Sequence, residues 1–256
     1  MTDAGQPGAQ DGAAPDRRTF LALLQDGELD VRGQLVEASN LNLYCAISGP
    51  ARAAEPGIEA ACVYKPIRGE RPLHDFPDGT LAYREVAAYA VSEATRWDIV
   101  PPTVLRDGPL GLGMVQLWID ADESVDVVEL VRSADPSLRR MAVFDAVVNN
   151  ADRKGGHLLP VRGGHVFGVD HGVCFNTDPK LRTVLWAWRG TALDDAELDV
   201  LRRLEVQLQG GLGTELSRLL APDEIEATSS RVRGLLARGT FPQPTPDWPA
   251  VPWPPF

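Results

Sequence analysis

Cysteine is scarce, and its placement excludes two classes of protein. The 256 residues hold three cysteines, Cys45, Cys62 and Cys174, with no CxxC pair, so neither a disulfide framework nor a cysteine-based zinc site is encoded. All three stand in apolar surroundings and read as buried thiols of a reducing cytoplasm. Basic charge is also short: 25 Lys and Arg face 36 Asp and Glu, for a net charge of −11. Nucleic-acid binding needs clustered cations, so this balance argues against it, and it argues more mildly against an anionic membrane surface. No apolar run approaches the ~18 residues of a membrane-spanning helix, and the first residues lack the apolar core of a signal peptide. The phosphate-binding patterns GxxxxGK[ST] and GxGxxG are absent; GPLGLG (108–113) has a different spacing and reads as a turn. No internal repeat is present. A soluble, cytoplasmic monomer with no stable membrane anchor is the expectation.

What is present is the 44% apolar, 24% charged mix of a globular protein. Residues 1–17 have little to bury and are expected to be disordered. A short helix over 18–26 precedes alternating segments at 28–39 (with a turn near Gly33), 41–48 and 60–67, which predict strands. The Ala-rich segment 81–96 predicts a helix. Two strands around a Gly/Pro turn at 107–113 are expected over 99–119. The second half predicts helices at 125–132, 136–150, 194–208 and 222–238, with a tight hairpin at 158–172. Segment 240–256 carries seven prolines, two Trp and two Phe. It is expected to run extended and to dock on the body. A β-rich first part followed by an α-rich second part is an α+β, two-lobe pattern.

Four residues stand out chemically. Lys65 lies in an otherwise uncharged strand, either snorkelling to water or reaching an anionic partner. Glu85 has Leu81, Ala82, Ala88 and Tyr89 as helical neighbours, so it is either a face-edge carboxylate or one in need of a cation. Together they suggest a Lys65–Glu85 pair, the device by which protein kinases aim an ammonium at nucleotide phosphates. Asp152 and Asp170 flank the 158–170 hairpin, whose ends must meet. They are either two turn-forming aspartates or one site whose mutual repulsion a hard cation such as Mg²⁺ would relieve.

With these residues in order, the chain resembles the phosphatidylinositol 3-/4-kinase-like family, which includes type II phosphatidylinositol 4-kinases and HipA-like kinases. The likeness extends to an uncharacterised actinobacterial group. It is carried by REVAAY (84–89), IVPPTV (99–104) and NNADRK (149–154) and spans roughly residues 27–239. The resemblance implies a two-lobe protein-kinase-like fold, with an N-lobe over 18–118 and a C-lobe over 119–239. It implies that Lys65 contacts ATP phosphates and pairs with Glu85, and that Ser39 and Asn40 cover the phosphates. Met114 to Trp118 would form the hinge that binds the nucleotide, with the main chain of Gln116 and Leu117 at the adenine edge and Trp118 as its last residue. Asp152 would position or deprotonate the acceptor hydroxyl, Arg153 would brace the loop, and Asp170 would hold Mg²⁺. Where the family carries an Asn as second metal ligand, this chain has His157, which suits Mn²⁺ better. His171 stands where the family's metal-binding Asp is followed by Phe.

The implied function is an ATP- and divalent-metal-dependent kinase acting on an unknown phosphoacceptor. Lys180, Arg182 and Arg189 in the segment 174–190 are candidates for an anionic headgroup, yet the chain has no polybasic face. A soluble small molecule or a protein hydroxyl is therefore favoured over lipid. A nucleotide-binding pseudokinase is the alternative, and transfer of a nucleotidyl group is a third possibility.

Overall fold

A computed structural model describes residues 16–35, 40–49, 57–133 and 135–256. The chain opens with α1 (Arg17–Asp26), whose N-terminus is capped by the Asp16 side chain accepting the Thr19 N–H at 2.8 Å. Leu23 and Leu24 of α1 are its buried face. Arg106 donates to the carbonyls of Leu24 and Gly27 and so closes the other end of the helix.

Strands β1 (Glu28–Gln34), β2 (Leu43–Ser48) and β3 (Glu59–Pro66) follow. After α2 (Leu81–Thr95) come β4 (Thr103–Gly108) and β5 (Gly111–Leu117). They form one antiparallel sheet in the order β1-β2-β3-β5-β4. The turn expected at Gly33 is instead a bulge: the register with β2 shifts between Val31 and Gly33 while the strand continues to Gln34. Residues 99–102 are not strand, contrary to expectation, because the Ser92 hydroxyl accepts the N–H groups of Ile99 and Val100 at 3.0 Å each. The α1 face of the sheet buries Cys45, Ile47, Cys62, Tyr64 and Val115 together with Leu23 and Leu24.

The helical part contains α3 (Val127–Arg132), α4 (Pro136–Val148), the hairpin β6 (Leu158–Pro160) and β7 (Val166–Gly168), then α5 (Asp195–Leu208), α6 (Gly211–Leu216) and α7 (Pro222–Arg238). Helix α6, rich in glycine, gives no apolar period and escapes sequence reading. The larger core joins α2, α4, α5 and α7 through residues such as Val91, Phe144, Leu201 and Val232, with Phe175 of the intervening loop among them. One buried and one partly buried ion pair tie the helices together. Arg84 of α2 reaches Glu224 of α7 and donates to the Cys174 carbonyl at 2.7 Å. Arg139 of α4 grips Glu197 of α5 with two bonds of 2.7 and 2.8 Å. The architecture is a mixed α+β fold of a sheet-built part followed by a helical part.

Candidate active site

The site is built where the open face of the sheet meets the hairpin. Side chains alternate along β3, so Cys62 and Tyr64 face the α1 core while Lys65 points the other way. Helix α2 crosses that face and carries Glu85, 1% exposed. Its first turn is held by Glu70, whose carboxylate accepts the N–H groups of Leu81 and Ala82 at 3.1 and 2.8 Å. Lys65 Nζ donates to Glu85 Oε1 at 2.6 Å and to Asp170 Oδ1 at 3.0 Å.

Asp170 is delivered by the β6–β7 hairpin. Leu158 pairs with Gly168, and the Val169 N–H donates to the His157 carbonyl at 3.0 Å, so the two ends of the hairpin lie side by side. Asp170 adopts φ +62°, a left-handed conformation uncommon for a residue with a side chain. The following His171 N–H donates to Glu85 Oε2 at 2.8 Å, which fixes that turn. Glu85 thus spends one oxygen on Lys65 and the other on the residue after Asp170.

The electrostatics follow from this geometry. The Lys65 ammonium holds the Asp170 carboxyl well below the usual carboxylate range. Burial alone would lower the Lys65 ammonium, but Asp170 and Glu85 outweigh it and keep the lysine charged. Burial raises Glu85, opposed by Lys65. His157 Nε2 stands 3.4 Å from Asp170 Oδ2, and burial pushes this imidazole below its ordinary value. Its Nδ1 faces the Lys154 N–H at 3.4 Å.

Asp152 sits on the loop after α4. Its backbone N–H donates to Asn150 Oδ1 at 2.9 Å, and its carboxylate pairs with Lys154 Nζ at 2.9 Å. In the sequence, the one signal for Lys154 is its place two residues after Asp152. Arg153 is fully buried and braces the loop. Two of its nitrogens reach Asp145 at 2.9 and 3.0 Å, a third donates to the Val169 carbonyl at 3.0 Å, and Nη2 lies 2.6 Å from His171 Nε2. A guanidinium only donates, so His171 Nε2 accepts and the imidazole is neutral with its hydrogen on Nδ1. Burial and the charge of Arg153 hold His171 far below its usual range, in agreement. Asp145 lies inside an apolar helical run, where nothing in the pattern distinguishes it from a capping or face-edge residue.

Several expected site residues fall elsewhere. Ser39 lies outside the described residues. The Asn40 side-chain Oδ1 accepts the Arg71 N–H at 2.8 Å and so ties down the loop after β3. Gln116 and Leu117 belong to β5, an interior strand between β3 and β4, and Gln116 Nε2 donates to Thr103 Oγ1 at 2.8 Å. The Leu117 N–H is taken by the Pro102 carbonyl and the Trp118 N–H by the Ala61 carbonyl. The main chain of Gln116 and Leu117 is thus occupied by the sheet. Directly after β5, the N–H groups of Ile119, Asp120 and Ala121 have no hydrogen-bond partner among the described residues, and this stretch leads from the sheet into the helical part. Lys180 is 4% exposed, paired with Asp75 at 3.0 Å, and stacked over Trp248 at 4.6 Å, so it offers no charge to a headgroup.

Asp170 and Lys65 suit a nucleoside triphosphate with a hard cation: Asp170 supplies anionic oxygens, its side chain is half exposed, and its present partner is an ammonium, positive like the cation. Among the described residues no group of three or more His, Cys, Asp or Glu could enclose a metal by itself, so phosphate oxygens and water would have to complete the sphere.

No protein-family model matches the chain. Protein Rv2133c of Mycobacterium tuberculosis is 43% identical over 270 aligned residues, covering 92% of this chain and 95% of that protein. Phosphatidylinositol 4-kinase gamma 7 of Arabidopsis thaliana is 28% identical over 161 residues, which is 50% of this chain but only 24% of the plant protein. Among solved structures, the Helicobacter pylori proinflammatory kinase CtkA superposes with a TM-score of 0.51 at 12% identity, covering 84% of this chain and 97% of that one. The last shows a shared kinase-like fold. On the first, the chain belongs to the family of the mycobacterial protein Rv2133c.

Proposed function

We propose that the protein is an ATP- and divalent-metal-dependent phosphotransferase with an alcohol acceptor. The observation that carries this reading is the Lys65 ammonium held between Glu85 and Asp170 at 2.6 and 3.0 Å, on the face of the sheet beneath which a nucleotide would lie. Phosphoryl transfer asks a protein mainly to position groups and to neutralise charge. Glu85 aims Lys65 at the phosphates. Asp170 would hold Mg²⁺ or Mn²⁺, with His157 beside it, and the ion would neutralise charge on the β- and γ-phosphates. Asp152 orients the acceptor hydroxyl and takes its proton as the oxygen bonds to the γ-phosphorus, while the bond to the ADP oxygen breaks and ADP leaves. Lys154, at 2.9 Å from Asp152, stands where it can follow the transferring phosphoryl group. The unpaired main chain of 119–121 is the stretch to meet the adenine edge.

The alternative, a module that binds nucleotide without turning it over, is favoured by His157 in the place of an amide ligand. Turnover of ATP with Mg²⁺ or Mn²⁺ by the native chain and by Asp170→Ala separates the two. The phosphotransferase reading expects metal-dependent turnover that the substitution abolishes while the melting transition survives. Binding without turnover in the native chain favours the pseudokinase, and unchanged turnover in Asp170→Ala refutes the site.

A further inference from the structure

Segment 246–256 lies against two pieces of chain, the loop that carries Asp152 and segment 182–186. The loop that carries Asp152 is bridged in parallel to the strand-like segment 182–184: the Arg153 N–H donates to the Arg182 carbonyl at 3.0 Å, and the Val184 N–H donates to the Arg153 carbonyl at 3.1 Å. The outer side of that segment is covered by segment 246–256. The Thr183 N–H donates to the Ala250 carbonyl at 3.1 Å, the Trp186 indole donates to the same carbonyl at 2.8 Å, and Arg182 donates to the Pro249 carbonyl at 3.2 Å. Trp248 stacks under Lys180. The chain then turns onto the Asp152 loop itself, where the Pro255 carbonyl accepts the Gly155 N–H at 2.8 Å. The Phe256 ring sits so close to Gly155 that a Cβ at that position would collide with it.

These contacts are those of a bound peptide. Four of them are made to main-chain carbonyls, which any extended sequence offers, and the side chains add aromatic anchors. Residues 246–256 include five prolines and no Ser, Thr or Tyr; the segment does not run extended as expected but passes through a turn at 246–247 and bends at 250–251 and 253–254, and it has no hydroxyl to accept phosphate. We infer that segment 246–256 is a built-in pseudosubstrate and that the groove it fills accepts a proline- and aromatic-rich peptide bearing a Ser or Thr hydroxyl. This rests on the phosphotransferase reading and names its acceptor class. In the transfer, the peptide hydroxyl oxygen forms the new bond to the γ-phosphorus, its proton passes to Asp152, and ADP departs with the electron pair of the broken bond.

The test uses the full chain and the Trp248→Ala/Phe256→Ala variant. The probe is a fluorescent peptide of sequence 246–256, titrated without nucleotide. If the segment leaves its groove in one chain in ten or fewer, releasing it tightens peptide binding by at least about tenfold. Equal, weak binding to both proteins overturns the groove. Phe256 is about half exposed, so Phe256→Ala alone is the variant to use if the double substitution does not fold. The second arm gives the released variant γ-labelled ATP and the same peptide with Ser placed at each position in turn. Label in peptides with Ser near positions 254–256, but not near 247–249, supports the assignment. Label passing instead to phosphatidylinositol vesicles or small polyols, at the same rate in both proteins, overturns it. Peptide binding is read without ATP, so a chain that turns ATP over but binds no peptide sinks this inference alone. A chain that binds peptide and never turns ATP over sinks the phosphotransferase reading and the substrate claim with it.

Discussion

Glu85 Oε2 accepts the backbone N–H of His171 at 2.8 Å, so the helix of the first lobe is bonded directly to the residue that follows Asp170. The same carboxylate binds Lys65 through Oε1 at 2.6 Å. One buried side chain therefore sets the position of both charged groups of the site.

Replacing that carboxylate should separate positioning from folding. Glu85→Gln keeps an oxygen for the His171 N–H and loses the anionic partner of Lys65. A displacement of the ammonium by about 1 Å is worth roughly 10²-fold in rate. Turnover of ATP is expected to fall by about that factor while the far-UV spectrum is unchanged. Full turnover in Glu85→Gln would show that Lys65 is aimed by Asp170 alone.

The buried Arg153–Asp145 pair makes a claim about stability. Both side chains are fully buried, and Asp145 meets the guanidinium with bonds of 2.9 and 3.0 Å. Removing one member of a buried pair leaves an uncompensated charge, at a cost of about 3–5 kcal/mol. Asp145→Ala should lower Tm by about 6–20 °C at ~2–4 °C per kcal/mol. A calorimetric scan checks this, and a shift below about 2 °C would mean that Arg153 is supported by the Val169 carbonyl and His171 alone.

How far the sequence carried this reading depends on what kind of oddity each residue presents. Lys65 and Glu85 are charges in apolar stretches, and such a charge is conspicuous because it needs a partner; the structure brings the two to 2.6 Å. Asp170 is legible through the hairpin, whose Gly163–Gly164 turn forces its ends together. Strand and helix order, and with them the fold class, follow from periodicity. Asp145, Arg84 and Glu224 are different: each sits in a helix where a charge every few residues is normal, and only the tertiary neighbours show which are buried. Which main-chain N–H groups remain free near the end of β5 is hidden for a related reason. Alternation marks where a strand runs, but not which of its N–H groups a neighbouring strand has already used, as at Leu117 and Trp118.

Acid should destabilise the fold through His171. Burial and Arg153 hold its imidazole neutral in the folded chain, whereas in the unfolded chain it titrates near ~6.5. As pH falls below that value the unfolded chain takes up a proton that the folded chain refuses. The stability present above pH ~6.5 is then lost at up to ~1.4 kcal/mol per pH unit for one such group. His157, lowered by burial as well, adds to the slope. His171→Gln keeps an acceptor for Arg153 and removes one titrating group. Urea unfolding between pH ~5 and ~7 should give a shallower slope for the variant, and identical slopes would contradict the neutral, buried histidine.

The thiols should be silent in the folded chain. Cys45 and Cys62 face each other across β2 and β3, and Cys174 is buried behind the site. Hydrogen bonding to Cys45 and burial push the Cys62 thiol up, and burial does the same to Cys174. A water-soluble disulfide reagent is expected to label none of the three cysteines in buffer and all of them in urea. Rapid labelling of the native protein would mean that the sheet or the site opens readily.

The most direct test of the central claim follows the phosphate. The native chain is incubated with Mg²⁺ or Mn²⁺ and ATP labelled at the γ-position or at the α-position, in the presence of proteins, peptides and small alcohols. The account expects γ-label to appear on an acceptor hydroxyl, only with metal present, and no transfer in Asp152→Asn or Asp170→Ala. Transfer of α-label, or γ-transfer that persists in both variants, would contradict it.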